Sequence, residues 1–220
     1  MIVRALVEQW PDDVAIYVHE LPGVIVAGDI PDEAINLLRQ AVEAHLNWLA
    51  PHGFDVRPYA EMDIEVAEQL TASQSGEGPL FEADREPATA ERVEQILRVA
   101  ALARRDVLDL YRSVSKVRRD GPAPGGDWSI ADHLRHIAES EAWYADSLMP
   151  KPFGELPRDP LEAMRASASY ADGILRSLSD ADRDRVFHRS GQVWTAHKVM
   201  RRMAGHLREH YPWVQELARR

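Results

Sequence analysis

Two of the nine histidines, His206 and His210, stand four residues apart in a run with helical periodicity, and a third, His136, sits on a separate helical run seventy residues earlier. An imidazole pair at i and i+4 lies on one helix face, so both rings can address one ion, and a third ring from a neighbouring helix would complete a facial set. The apolar stripe around the pair is Val199, Met203, Trp213, Val214 and Leu217, which places the two histidines where a core ordinarily holds Leu or Ile. Buried imidazoles need hydrogen-bond partners or an ion, because an unsatisfied buried polar group costs about 1–3 kcal/mol. A shared metal satisfies both at once. The bland alternative is an ordinary interior or surface pair, since nine histidines give such a spacing by composition about one time in three.

The absence of cysteine excludes disulfides, thiolate ligands and a protein-borne thiol nucleophile. Any metal must rely on imidazole and carboxylate, which favours a borderline divalent ion, zinc or nickel, and any thiol chemistry must borrow its sulfur from a small molecule. A net charge of −10 opposes nucleic-acid binding, which rests on Lys and Arg neutralising phosphates. Apolar content of 45% with 28% charged residues fits a chain able to bury a sizeable core. No apolar run reaches the roughly 18 residues of a membrane span, and the first residues lack the basic flank and apolar stretch of a secretory signal. The expectation is a cytoplasmic protein with neither nucleic acid nor membrane as partner.

The elements that must position these histidines fall into two halves. From Met1 to about Leu70 the pattern has period two: Ile2 to Val7, Val14 to Val18 and Val24 to Ala27 read as strands of a meander, separated by Trp10-Pro11-Asp12-Asp13 and Leu21-Pro22-Gly23. Pro31 and Asp32 open a helix with Ala34, Leu37, Leu38, Ala41, His45, Leu46 and Leu49 inward. Pro51-His52-Gly53 ends it, and Phe54 to Tyr59 reads as a fourth strand, giving a βββαβ unit over 1–72. The polar, Gly- and Pro-rich stretch over 73–89 reads as a linker. Beyond it, 90–220 reads as helices: one over Ala90 to Val114, ended by Asp120-Gly121-Pro122-Ala123-Pro124-Gly125-Gly126. The next runs from an N-cap at Ser129 with Asp132 in the capping-box position to about Leu148. Pro150, Pro152 and Pro157 form a loop, Pro160 starts a third helix to Ser179, Arg183 to Trp194 reads as one extended segment, and a last helix spans Thr195 to Leu217. The fold class is α+β, a small sheet unit followed by an up-down four-helix bundle.

Two resemblances sharpen this outline. Leu21-Pro22-Gly23-Val24, Gly28-Asp29, and Asp32-Glu33-Ala34 leading to His45-Leu46-Asn47-Trp48-Leu49 resemble the HicB-like small domain, the antitoxin half of a bacterial toxin–antitoxin pair. That resemblance implies a fold and a surface for a protein partner; the DNA-binding segment usually appended to it has no counterpart in these residues. Trp128-Ser129-Ile130-Ala131-Asp132-His133-Leu134-Arg135-His136-Ile137 resembles the second-helix signature of the DinB-like family, in which a Trp-Ser helix start precedes a metal-ligand histidine. Trp194-Thr195, Val199 to Met203 and His206-Leu207-Arg208-Glu209-His210 resemble its final helix, where both histidines are ligands. The resemblance covers about 130 residues and implies His136, His206 and His210 as ligands. His133, three residues earlier on an adjoining face, is the rival for the first position, or otherwise an outer partner. His197 should face away, about 180° from His206, and His19, His45 and His52 read as structural.

His206-Leu-Arg-Glu-His210 also satisfies the inverted zinc-peptidase string H-x-x-E-H, with Glu209 as general base, but that mechanism usually needs a ligand well downstream and only ten residues follow His210. Arg201, Arg202 and Arg208 could receive a carboxylate-bearing ligand or simply complement the helix dipole. Three neutral ligands leave an ion its double charge and an open position, the ligation of a catalytic site. DinB-like relatives are described as metal-dependent hydrolases and as transferases or isomerases using low-molecular-weight thiols. The expectation is therefore a metal-dependent enzyme of that type acting on a small-molecule substrate, as a homodimer. The alternative is an interaction protein in which the HicB-like unit binds a protein partner and the bundle dimerises.

Overall fold

A computed structural model describes residues 1–72, 78–122, 128–149 and 151–219. Ser73 to Glu77 of the expected linker, Ala123 to Gly126 of the expected helix break and Pro150 of the expected loop lie outside the described residues. The chain is mixed α+β, an N-terminal sheet followed by helices. Among the described residues no helix is long and apolar enough to cross a membrane.

The three expected strands form as β1 (Ile2–Trp10), β2 (Asp13–Val18) and β3 (Ile25–Gly28), paired antiparallel as a meander. Helix α1 (Pro31–Leu49) follows, with Pro31 in its first turn and Asp32 and Glu33 complementing its N-terminus. Its buried positions are Ala34, Leu38, Val42, His45 and Leu49. Leu37, expected inward, is 52% exposed because it stands on the shoulder of that stripe, while Val42 takes the central place. The fourth strand is not Phe54 to Tyr59. Those residues run into a 3₁₀ turn at Arg57–Tyr59, where Pro58 has no N–H to give a ladder. β4 is Asp63–Thr71, parallel to β1, so the sheet order is β3-β2-β1-β4. A register shift opposite Ala5 and Leu6 inserts Ala67 as an extra residue. Ile64 therefore packs on one face of the sheet and Leu70 on the other, which breaks the alternation a strand search follows.

Both faces of the sheet are covered. Val3, Ala5, Val7, Val14, Ile16 and Val18 pack with α1, whereas Leu6, Ala15 and Tyr17 pack with Phe81 and Ala83. The stretch expected to be a linker is, in its described part, a buried seam: Phe81, Ala83, Asp84 and Ala88 are all 4% exposed or less. Its composition is that of a loop, but Phe81 supplies apolar area and Asp84 pairs with a distant arginine, and both tie the segment down.

The second half contains α2 (Ala90–Ser113), a short α3 (Lys116–Asp120), α4 (Ile130–Asp146), α5 (Pro160–Ser177), a short α6 (Asp180–Arg183) and α7 (Ala196–Arg219). The Ser129 hydroxyl accepts from Asp132 N at 3.1 Å and the Asp132 carboxylate accepts from Ser129 N at 2.9 Å, completing the expected capping box at the start of α4. Asp159 caps α5 ahead of Pro160. The expected single extended segment before the last helix is instead a hairpin, β5 (Phe187–Arg189) and β6 (Gln192–Trp194), turned by Ser190 and Gly191 at φ 51° and 77°. Two residues at positive φ make the primed turn that tight hairpins favour. α2, α4, α5 and α7 share one apolar core with Ile96, Leu134, Met164 and Met203 among its buried members. Inside it, Arg104 donates to Glu141 at 2.8 Å and to Asp172 at 2.9 Å, and the Ser167 hydroxyl donates to Glu141 at 2.9 Å.

α7 joins the two halves. Arg201 makes two hydrogen bonds to Asp84, at 3.0 and 2.8 Å, between the rings of Tyr17 and Phe81. Arg202 reaches Glu8 at 3.1 Å and the Tyr17 hydroxyl at 3.0 Å. Gly205 faces Tyr17 so closely that an added Cβ would lie 2.8 Å from the ring.

Candidate metal centre

α4 and α7 pack side by side, and the contact brings their histidine-bearing faces together. The interior Nε2 atoms form a chain: His136 Nε2 lies 3.1 Å from His206 Nε2, which lies 3.0 Å from His210 Nε2. One ligand atom from each falls within 4.8 Å of the others, close enough to hold a metal ion. Nitrogens bound at about 2.1 Å to one ion stand about 3.0–3.4 Å apart for angles from about 90° to the tetrahedral, so the two separations are of the right size. The pair given by spacing, His206 and His210, and the third residue given by the resemblance, His136, stand together.

His133 occupies a different place. It is 4% exposed, and its Nδ1 lies 2.9 Å from His210 Nδ1, on the side of that ring away from His206. His197 faces away from the cluster as expected, toward the sheet, where its ring stacks on His19 at 5.3 Å between centroids. His45 is buried on the inner face of α1 beside Gly23, His52 lies against Arg105, and His188 stands exposed on the hairpin.

Burial keeps the cluster uncharged. Desolvation is the main cause holding His206 well below the ordinary imidazole range, with His210 and His136 adding to it; His210 is lowered to about 3, and His136 and His133 are lowered too. Neutral imidazoles keep the lone pairs that ligation needs.

Aromatic rings frame the rim. Trp128, 47% exposed, lies 4.7 Å from His136 and is nearly parallel to His210. Trp213, expected in the inward stripe, is 58% exposed: His210 takes the inward position and the indole meets His133 and His210, each at 5.7 Å. Below the cluster, Tyr144 sits 6.0 Å from His206. Along the outer side of α4 a cleft of about 360 Å³ is lined by residues including Arg135, Glu139, Trp143, Asp146 and Phe153. Glu139 lies one helical turn beyond His136.

The basic residues of α7 do other work than ligand capture. Arg201 and Arg202 are committed to Asp84, Glu8 and Tyr17 across the seam, and Arg208 lies over Trp48 at 4.1 Å. Glu209 is half-buried, and burial raises its carboxyl. The charges that act on it are Arg202, Asp13 and Glu8, those of the sheet side, which does not favour a general-base role at the histidines. Sequence reasoning missed Trp128 and Trp213 as the rim; the Trp-Ser helix start was the available signal for the first.

Compared with family models, curated proteins and solved structures, the chain matches none of them.

Proposed function

We propose that His136, His206 and His210 hold a divalent metal ion, zinc or nickel, in a metal-dependent enzyme of the DinB-like type acting on a small molecule. The reaction is a hydrolysis or a transfer or isomerisation using a low-molecular-weight thiol. In this reading α2, α4, α5 and α7 are the family's four-helix bundle and the βββαβ unit is HicB-like. The observation that carries it is the convergence of three Nε2 atoms from two helices, at 3.0 and 3.1 Å along the chain. When bound, such an ion supplies Lewis acidity and a place for an anionic ligand. The chain supplies three uncharged donors, a packed floor that includes Tyr144, and the two exposed indoles at the rim.

An interaction role for the sheet finds less support. Both of its faces are already covered, one by α1 and the other by Phe81, with Arg201 and Gly205 of α7 against Tyr17. Elemental analysis of protein purified without an affinity tag, compared with His206→Ala and His210→Ala, tests the site. One equivalent of metal in the wild type and trace amounts in both variants is expected; equal trace metal in all three would end the proposal. A thermal-shift screen against small thiols then separates the two reaction classes.

A further inference from the structure

An ion shared by the three interior Nε2 atoms sets a condition on protons. Neutral imidazole carries one N–H, so a ring that ligates through Nε2 must hold its proton on Nδ1. For His210 that Nδ1–H points at one atom, His133 Nδ1, 2.9 Å away. Two nitrogens at that distance share a single proton. If His210 donates, His133 must accept at Nδ1 and carry its own proton on Nε2. If His133 donates instead, His210 is pushed to the Nε2–H form, which has no lone pair for an ion and serves only as a donor to His206 Nε2, 3.0 Å away. The tautomer of His133 therefore decides whether His210 is a ligand.

The fold fixes this arrangement. His133 and His210 are 4% and 5% exposed, so solvent does not compete for the shared proton. The His133 ring is gripped edge-on by Trp128 at 5.4 Å and Trp213 at 5.7 Å, while its helix begins at the fully formed Ser129–Asp132 cap one turn earlier. Ring and backbone are both held, and His133 Nδ1 stays aimed at His210. Outer partners of this kind orient a ligand, fix its tautomer and raise its basicity, and losing one typically weakens metal binding 10- to 100-fold.

The geometry points to His133 as the positioning residue of the metal centre: it holds no metal itself but accepts the Nδ1 proton of His210 and so sets that ring's ability to ligate. This inference rests on the three-histidine reading, and its test separates the two. Titration of metal-free full-length protein with Co²⁺, followed by visible absorption and by quenching of tryptophan fluorescence, would be run on the wild type, His133→Phe and His133→Asn. The phenyl ring keeps the shape and removes the acceptor; the asparagine amide oxygen keeps an acceptor near the Nδ1 position. Expected are one Co²⁺ per chain in all three, with affinity 10- to 100-fold lower and a changed visible spectrum in His133→Phe, and affinity within a few-fold of wild type in His133→Asn. Equal affinities and spectra for wild type and His133→Phe would overturn the inference and leave the metal site standing. A wild type that binds no Co²⁺ would overturn both. If His133→Phe does not fold, nitrogen-15 NMR of the metal-loaded wild type decides: a proton on His210 Nδ1 and on His133 Nε2 supports the assignment, and the opposite pair of tautomers refutes it.

Discussion

The chain buries polar groups in two places and satisfies them by different means. At the seam between sheet and helices, Arg201 and Arg202 meet Asp84, Glu8 and Tyr17, so charge is matched by charge inside the protein. Between α4 and α7 stand four imidazoles, His133 and His210 buried and His136 and His206 partly buried, all lowered by desolvation and each facing another of its kind. Paired charges close a contact; like neutral donors leave lone pairs that only protons or an ion can use. The first arrangement is a fastener; the second, under the function proposed above, is a receptacle.

Four measurements put that contrast to the test. Arg201→Met strands Asp84 in a place with 1% exposure, and breaking a buried pair from one side costs about 3–5 kcal/mol. Chemical denaturation should show that loss, and adding Asp84→Leu should recover a good part of it, because the removal of both charges avoids the penalty. At the receptacle, stability should depend on ligand instead. Saturating metal at about 100 times its dissociation constant should stabilise the wild type by about 2.7 kcal/mol, and His206→Ala should gain nothing. A shift in His206→Ala as large as the wild type's would remove that residue from the ligand set.

The third concerns pH and histidines outside the cluster. Burial lowers His45 to about 3 and His197 to about 4. In the unfolded chain both titrate near about 6.5, so between roughly pH 6 and 4 the unfolded state binds protons that the folded state does not. Their contribution is complete above about pH 6.5 and is lost as pH falls toward the folded values. His45→Gln should flatten the stability–pH slope by about 1.4 kcal/mol per pH unit in that window, measured on metal-free protein. An unchanged slope would mean that His45 is protonated in the native state. The smallest effect belongs to the exposed pair Arg176 and Glu94, 2.8 Å apart: Arg176→Ala should cost no more than about 1 kcal/mol, and less in high salt.

What could be read beforehand was local. The Ser129–Asp132 cap and the spacing of His206 and His210 are relations within one helical turn, and both stand as expected. The meeting of His136 with that pair followed from the family resemblance rather than from spacing. Relations that depend on distant partners escaped. Phe81 and Asp84 looked like linker because their contacts lie in β1, β2 and α7, and Arg201 finds Asp84 117 positions away. β4 was misplaced because its bulge at Ala67 swaps faces midway, while Phe54 to Tyr59 imitates a strand up to Pro58. Trp213 fits the stripe by number, yet it is 58% exposed, with His210 in the inward position. α7 runs through Pro212 to Arg219.

Gly205 has one neighbour on each side that matters: Tyr17 of the sheet across its missing side chain, and His206 next along the backbone. The small N-terminal unit thus acts as a backstop for the helix that carries two of the three clustered histidines. A methyl group introduced at 205 would act as a shim, tilting that helix and re-aiming its imidazoles from the far side of the molecule.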